Sequence, residues 1–190
     1  MKLFYLLSAF LVLTVLAYAA EKNYDKDEAR RISKVCAGCH GTDGAAPGHS
    51  IPTIGGQNGK YLYKTMIEFR DGKRLGTVMA KIALAYDDNR SQLVADYFED
   101  QKWVNTKVKA DKKLVLLGKK LSKDCSDCHG PKGKGQDENP RLAGQHPFYL
   151  EQALIEYKEG KRGDVPEMEL IKNYTEKQLK ALAAYFSNLK

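Results

Sequence analysis

Cys36-Ala37-Gly38-Cys39-His40 and Cys125-Ser126-Asp127-Cys128-His129 decide how this 190-residue chain is read, and together they use all four of its cysteines. Two thiols three positions apart can add to the two vinyl groups on one edge of a haem. The histidine that follows is then set beneath the ring, where an imidazole nitrogen can ligate the iron. Each stretch reads as a covalent attachment site for one haem c, through Cys36 and Cys39 in the first case and Cys125 and Cys128 in the second, with His40 and His129 as iron ligands. CxxC pairs also build zinc ribbons, disulfides and thioredoxin-like redox sites. A zinc ribbon gives no reason for a histidine after both pairs, and a thioredoxin-like site needs a βαβ pattern that neither pair has around it.

The two motifs belong to an internal repeat. Cys36 and Cys125 are 125 minus 36, or 89, positions apart, and His40 and His129 keep that offset. Pro52-Thr53-Ile54-Gly55-Gly56-Gln57 is answered by Pro140-Arg141-Leu142-Ala143-Gly144-Gln145 at an offset of 140 minus 52, or 88. The register holds through Tyr61-Leu62 and Tyr149-Leu150, through the stretches ending Gly72-Lys73-Arg74 and Gly160-Lys161-Arg162, and through Tyr97-Phe98 and Tyr185-Phe186. One unit is therefore used twice, over 20–104 and 105–190. The polar join at 101–110 holds the single tryptophan, Trp103, without a Gly/Ser or Pro run, so the two units are expected to be held against each other.

The repeat also selects the iron ligand expected on the face opposite each histidine. Of four methionines, Met1 lies in the leader and Met66 matches Leu154, which makes it a core residue. Met79 and Met168 match each other, each shortly after a Gly-Lys-Arg turn, and a thioether is the usual partner of histidine in electron-transfer haems. Met79 is the expected second ligand of the first iron and Met168 of the second. His49, which has no counterpart, and His146, in a Gly-Gln-His-Pro turn, read as surface or loop residues.

Hydrophobic spacing predicts helices throughout. In the first unit these are 24–35, with Ala29, Ile32 and Val35 on one stripe; 61–69, with Leu62, Met66 and Phe69 inward; a short helix after Met79; and a last helix capped by Asn89 or Ser91. Residues 42–59 are loop. The second unit repeats the pattern over 111–121, 148–157, 169–172 and 175–189, the last opening on a Thr175-to-Gln178 capping box.

Residues 1–19 read as a signal peptide: Lys2, an apolar run from Leu3 to Leu16, and Ala17-Tyr18-Ala19 as the cleavage signal. The alternative is an uncleaved anchor, although the run is short of the ~20 residues of a comfortable span. Export places the mature chain in the periplasm, where no membrane association is expected once the leader is removed. The 31 Lys and Arg against 24 Asp and Glu give +7, which favours acidic partners. Basic residues are mixed with acids along the chain, a pattern that speaks against nucleic acid.

These features together resemble class I cytochrome c, and two such units in tandem resemble the two-haem family that includes cytochrome c4 and the cytochrome subunit of flavocytochrome c sulfide dehydrogenase. The resemblance implies an all-α fold, two tandem domains each wrapped around a covalent haem, and single-electron transfer. Leu142 to Leu150 and Leu182 to Phe186 look like cytochrome c4. Thr77 to Tyr86 and Tyr97 to Gln101 are more similar to the flavocytochrome subunit, and that likeness implies an FAD-containing flavoprotein partner that oxidises sulfide. The alternative is a free-standing shuttle delivering electrons to a terminal oxidase or another cytochrome. With histidine and methionine on both irons, no position is open for substrate, so no catalysis is expected from this chain alone. A dihaem enzyme such as a peroxidase would need a vacated site, and a cysteine-ligated thiosulfate dehydrogenase would need a fifth cysteine.

Overall fold

The computed structural model describes residues 24–163 and 165–190. The expected leader at 1–19 lies outside the described residues. In the first unit the helices are α1 (Lys26–Ser33), the short α2 (Ala37–His40), α3 (Gly59–Arg70), α4 (Thr77–Ala83) and α5 (Asp88–Glu99). In the second they are α6 (Lys112–Leu121), α7 (Ser126–His129), α8 (Pro147–Lys158) and α9 (Glu176–Asn188). A 3₁₀ segment, Pro166–Ile171, stands where the first unit has α4, and no strand occurs among the described residues.

Capping residues set most of these boundaries. The Asp25 carboxylate accepts from the Asp27 and Glu28 amides at the start of α1, and Asp111 does the same for Lys113 and Leu114 at α6. Such a cap contributes about 1 kcal/mol. The Thr175 capping box forms as its sequence predicts. The expected cap of α5 was misplaced: Asp87 holds the Arg90 amide, and Ser91 is buried within the helix. Val35 also departs from its expected stripe. The chain tightens into a 3₁₀ turn at Lys34–Cys36, and the change of period turns Val35 outward, to 68% exposure.

Each unit has a small core at the crossing of its first and last helices, α1 on α5 and α6 on α9. Met66, Ala83, Tyr86, Val94 and Phe98 form the first, with Ile32, Leu62, Phe69, Cys36 and Met79 packed around them. Met66 is thus the core residue its match to Leu154 implies. Leu150, Leu182, Ala183 and Phe186 form the second, with Leu121, Leu154 and Cys125 at its edge. The repeated Tyr-Phe pairs sit at matching places, with ring centroids 5.0 Å apart for Tyr97 and Phe98 and 5.2 Å for Tyr185 and Phe186. Cores this thin gain from a buried prosthetic group.

The join between units is tied down on both sides. The Thr106 amide donates to the Gly144 carbonyl at 2.7 Å, the Leu75 amide donates to the Lys161 carbonyl at 2.8 Å, and the Arg141 guanidinium lies 4.7 Å from the centre of the Trp103 ring.

Candidate haem sites

The two attachment motifs are built alike. Cys36 closes a 3₁₀ turn and Cys39 lies one turn on in α2, so the helical backbone brings the two thiols to one side; Cys125 and Cys128 repeat this across the turn at Lys123–Cys125 and α7. All four thiols are free. Burial pushes the Cys36 and Cys125 thiols up to about 11. A CxxC redox centre needs the opposite shift, toward thiolate, so the local environment disfavours that alternative.

The histidines follow on the last residue of each short helix. His40 Nδ1 is 2.8 Å from the Pro52 carbonyl oxygen, and His129 Nδ1 is 2.9 Å from that of Pro140. A carbonyl only accepts, so Nδ1 carries the proton in both rings and Nε2 keeps its lone pair. Burial lowers both imidazole pKa values, and the carbonyl bond opposes it by less. Both rings are therefore neutral, with one nitrogen committed and the other available, the form in which histidine binds metal. Gly41 makes the turn out of α2: its φ is +75°, and a Cβ there would lie 2.3 Å from the Ala45 carbonyl oxygen. Free paired thiols followed by an oriented neutral imidazole fit a haem held by two thioether bonds and one nitrogen.

Met79 and Met168 are both half-buried, but they stand on different backbones. Met79 lies inside α4, which begins two residues before it at Thr77, where the sequence predicts the helix only after Met79, and packs on the same core cluster as Cys36. Met168 lies in the 3₁₀ segment and is not among the described side chains packed on the second cluster. Arg162 to Met168 is 168 minus 162, or 6, residues, against 79 minus 74, or 5, in the first unit. The longer approach includes Pro166, whose fixed φ starts the tighter turn.

Residues with no assigned role in the sequence reading form the polar seam between the two sites. His146, expected as a surface or loop residue, lies in the loop before α8 but is buried: its Nε2 donates to the Ala46 carbonyl of the other unit at 2.9 Å, and its Nδ1 is 3.1 Å from the Thr106 hydroxyl. His49 is exposed as expected, 6.2 Å from His146 between ring centroids. Gln57 and Gln145, recognised only as repeated letters, each pair with a backbone amide and carbonyl of the opposite unit. The two Gly-Lys-Arg turns also converge. Arg74 and Arg162 are buried, with guanidinium nitrogens 3.5 and 3.4 Å from the Tyr149 hydroxyl, and Arg162 pairs with Glu156 at 2.6 Å. Burial opposes ionisation of Tyr149, but the Arg162 and Arg74 charges prevail and hold its phenol below the usual tyrosine range. The only cue in the sequence was the recurrence of Gly-Gln and Gly-Lys-Arg, which says that a residue matters and not what it touches.

A family model described as cytochrome c matches residues 115–190. Cytochrome c4 of Pseudomonas aeruginosa is 33% identical to this chain, the match covering 94% of each. The crystal structure of reduced recombinant cytochrome c4 from Pseudomonas stutzeri superposes with a TM-score of 0.81 at 29% identity, over 88% of this chain and all of that one. The cytochrome subunit of sulfide dehydrogenase from Chlorobaculum tepidum is 38% identical over 82 residues, which is 43% of this chain and 74% of that protein.

Proposed function

Since this chain belongs to the cytochrome c4 family, all-α electron carriers with two covalently bound haems c in tandem class I domains, we propose that it relays single electrons between a dehydrogenase and a terminal oxidase or another cytochrome, in the periplasm. The observation that carries the electron-carrier reading is the matched pair of imidazoles, each locked by its Nδ1 proton with Nε2 left for iron. Cys36, Cys39 and His40 would hold the first haem and Cys125, Cys128 and His129 the second, with Met79 and Met168 each offering a thioether to the iron of its unit. The domains run over 20–104 and 105–190, behind a leader at 1–19. No helix among the described residues is long and apolar enough to cross a membrane.

Bound haem supplies a one-electron ferric/ferrous couple. The chain's own residues fix the ring nitrogens and shield the imidazoles from water, and methionine ligation would leave substrate no place to bind at either iron. The partner must therefore bring its own chemistry, and this chain catalyses nothing alone. A second reading makes it the subunit of an FAD-bearing, sulfide-oxidising flavoprotein. The likeness to the Chlorobaculum subunit favours it, but over 43% of the chain, where the cytochrome c4 likeness covers 94%.

Pyridine haemochrome analysis is expected to give two c-type haems per chain, and one would overturn the tandem assignment. Met79→Ala and Met168→Ala are each expected to remove the near-infrared thioether-to-iron band of one haem; survival of both bands in each variant would refute the ligand assignment. Native purification separates the two partner readings, because a stoichiometric flavoprotein would establish the second and exclude the first.

A further inference from the structure

Each proximal histidine is hydrogen-bonded to a peptide group that is gripped, from its other side, by a glutamine of the opposite unit. The Pro52 carbonyl accepts from His40 Nδ1 at 2.8 Å. The amide of the same peptide group, Thr53 N–H, donates to Gln145 Oε1 at 2.9 Å, and Gln145 Nε2 returns a bond to the Thr53 carbonyl at 2.8 Å. The mirror arrangement holds in the second unit. His129 Nδ1 donates to the Pro140 carbonyl at 2.9 Å, Arg141 N–H donates to Gln57 Oε1 at 2.7 Å, and Gln57 Nε2 reaches the Arg141 carbonyl at 3.0 Å. Gln145 is 2% exposed and Gln57 4%, so neither bond competes with bulk water.

We infer that Gln57 and Gln145 are positioning residues acting across the domain boundary: Gln145, in the second unit, tunes the first haem, and Gln57, in the first unit, tunes the second. The inference rests on the assignment of His40 and His129 as iron ligands. A peptide group polarises along its length. When its N–H is bonded to a good acceptor, its carbonyl oxygen becomes a stronger acceptor in turn, and bonds in such a chain reinforce each other. A stronger acceptor at Nδ1 draws that proton away from the ring and makes Nε2 the more basic donor to iron, which favours the ferric state. Removing the glutamine's acceptor reverses the sequence: the carbonyl weakens, the imidazole becomes a poorer donor, and the potential of that haem rises. Because the two glutamines grip opposite peptides, the effect is crossed.

The test uses the full-length holoprotein. Gln145→Met and Gln57→Met keep side-chain length and remove the polar end. The potentials of both haems are read by spectroelectrochemistry and assigned to each unit by the hyperfine-shifted NMR resonances of ¹⁵N-labelled His40 and His129. Gln145→Met is expected to move the first haem's ferric/ferrous equilibrium about threefold toward ferrous, about 28 mV at 59 mV per tenfold for one electron, and to leave the second haem within a third of that shift. Gln57→Met is expected to do the reverse. Gln145→Glu keeps an acceptor for Thr53 N–H whether or not it is ionised, and is expected to hold the first haem at or below its native potential. A shift in the glutamine's own unit, equal shifts in both haems or no shift in either overturns the inference. If the His40 and His129 rings carry no hyperfine shift in the wild-type protein, the ligand assignment has failed instead, and the inference with it; the two failures are distinguished before any variant is made.

Discussion

Gly118 sets local helix preference against packing, and the two predict opposite signs for one substitution. It lies inside α6 where that helix crosses α9, and a Cβ built on it would come 2.0 Å from the Ala181 carbonyl oxygen, 2.6 Å from the Ala181 carbonyl carbon and 2.7 Å from the Tyr185 Cβ. Two of those atoms are backbone in the middle of a helix, so no rotamer change relieves the contact and the helices must separate. Helix propensity alone predicts that Gly118→Ala stabilises by about 1 kcal/mol. Overpacking of a close-packed core costs about 1–3 kcal/mol and more where backbone must move, so the upper end of that range applies, and the net expectation is a loss of about 2 kcal/mol. With a guanidinium slope of about 4 kcal/mol/M, the midpoint of holoprotein unfolding, followed by far-ultraviolet circular dichroism, should fall by about 0.5 M. The matching position in the first unit, 118 minus 89, is Ala29, which is fully buried and shows that α1 and α5 cross with room for a methyl. A midpoint for Gly118→Ala equal to or above wild type would refute the close-approach reading of the α6–α9 crossing.

The Tyr149 phenol gives a pH signature. Its pKa is lower folded than unfolded, so from that lowered value up to the ordinary value near 10 the unfolded chain binds more protons and stability rises with pH. The stability of wild type relative to Tyr149→Phe should widen through that window, hold above it, and narrow as pH falls through the folded value; paired denaturation series at stepped pH read it, and a gap that is flat up to pH 10 would refute it. Trp103→Ala removes the surface on which Arg141 stacks, 4.7 Å from the ring centre, and the Nε1 bond to Asn105 at 3.0 Å. Limited proteolysis should then cut within 101–110 several-fold faster, and an unchanged rate would show that backbone bonds such as Thr106 to Gly144 hold the join unaided.

Features that depend on near neighbours in the chain were legible in part: the Thr175 capping box was read correctly, while the cap of α5 was placed at Asn89 or Ser91 and lies at Asp87. Thr175 and Gln178 cap α9 because a side chain three residues from an amide can hardly miss it, whereas Asp111, read as the first residue of its helix, is the cap of α6. The haem motifs were legible because their own spacing carries them and the repeat aligns them. Features that depend on the other unit were not. Nothing local separates His146, buried against Ala46, from an exposed loop histidine like His49. The backbone under the methionines was hidden for another reason: one residue and Pro166 suffice to exchange α4 for a 3₁₀ turn, a difference smaller than any periodicity resolves.

The repeat offset itself says what the fold holds constant. It is 89 at the histidines and 88 from the prolines to the glutamines, because His40 to Pro52 spans 12 residues and His129 to Pro140 spans 11. The shorter loop closes with a reciprocal pair of backbone bonds between Gln136 and Asn139, at 3.3 and 2.8 Å, and Asp137 takes a φ of +52°. Loop length and path are thus free to differ, while the proline carbonyl arrives under the imidazole in both units. The residues at the shared offset of 88 also pair across the boundary. Gln57 and Gln145 grip Arg141 and Thr53, and Asn58 and His146, the N-cap residues of α3 and α8, reach the carbonyls of Asp137 and Ala46. The two glutamine contacts mirror each other, the isologous pattern of a two-fold dimer carried inside one chain. Asn58 and His146, by contrast, reach positions that do not match, and the Leu75 to Lys161 bond and the Arg141–Trp103 stack stand alone among the described residues. An interface of that kind loses only half of a matched pair when one residue is replaced. The remaining half keeps the units docked, so a substitution at Gln57 or Gln145 tests the wiring of one haem without dissolving the seam that holds both.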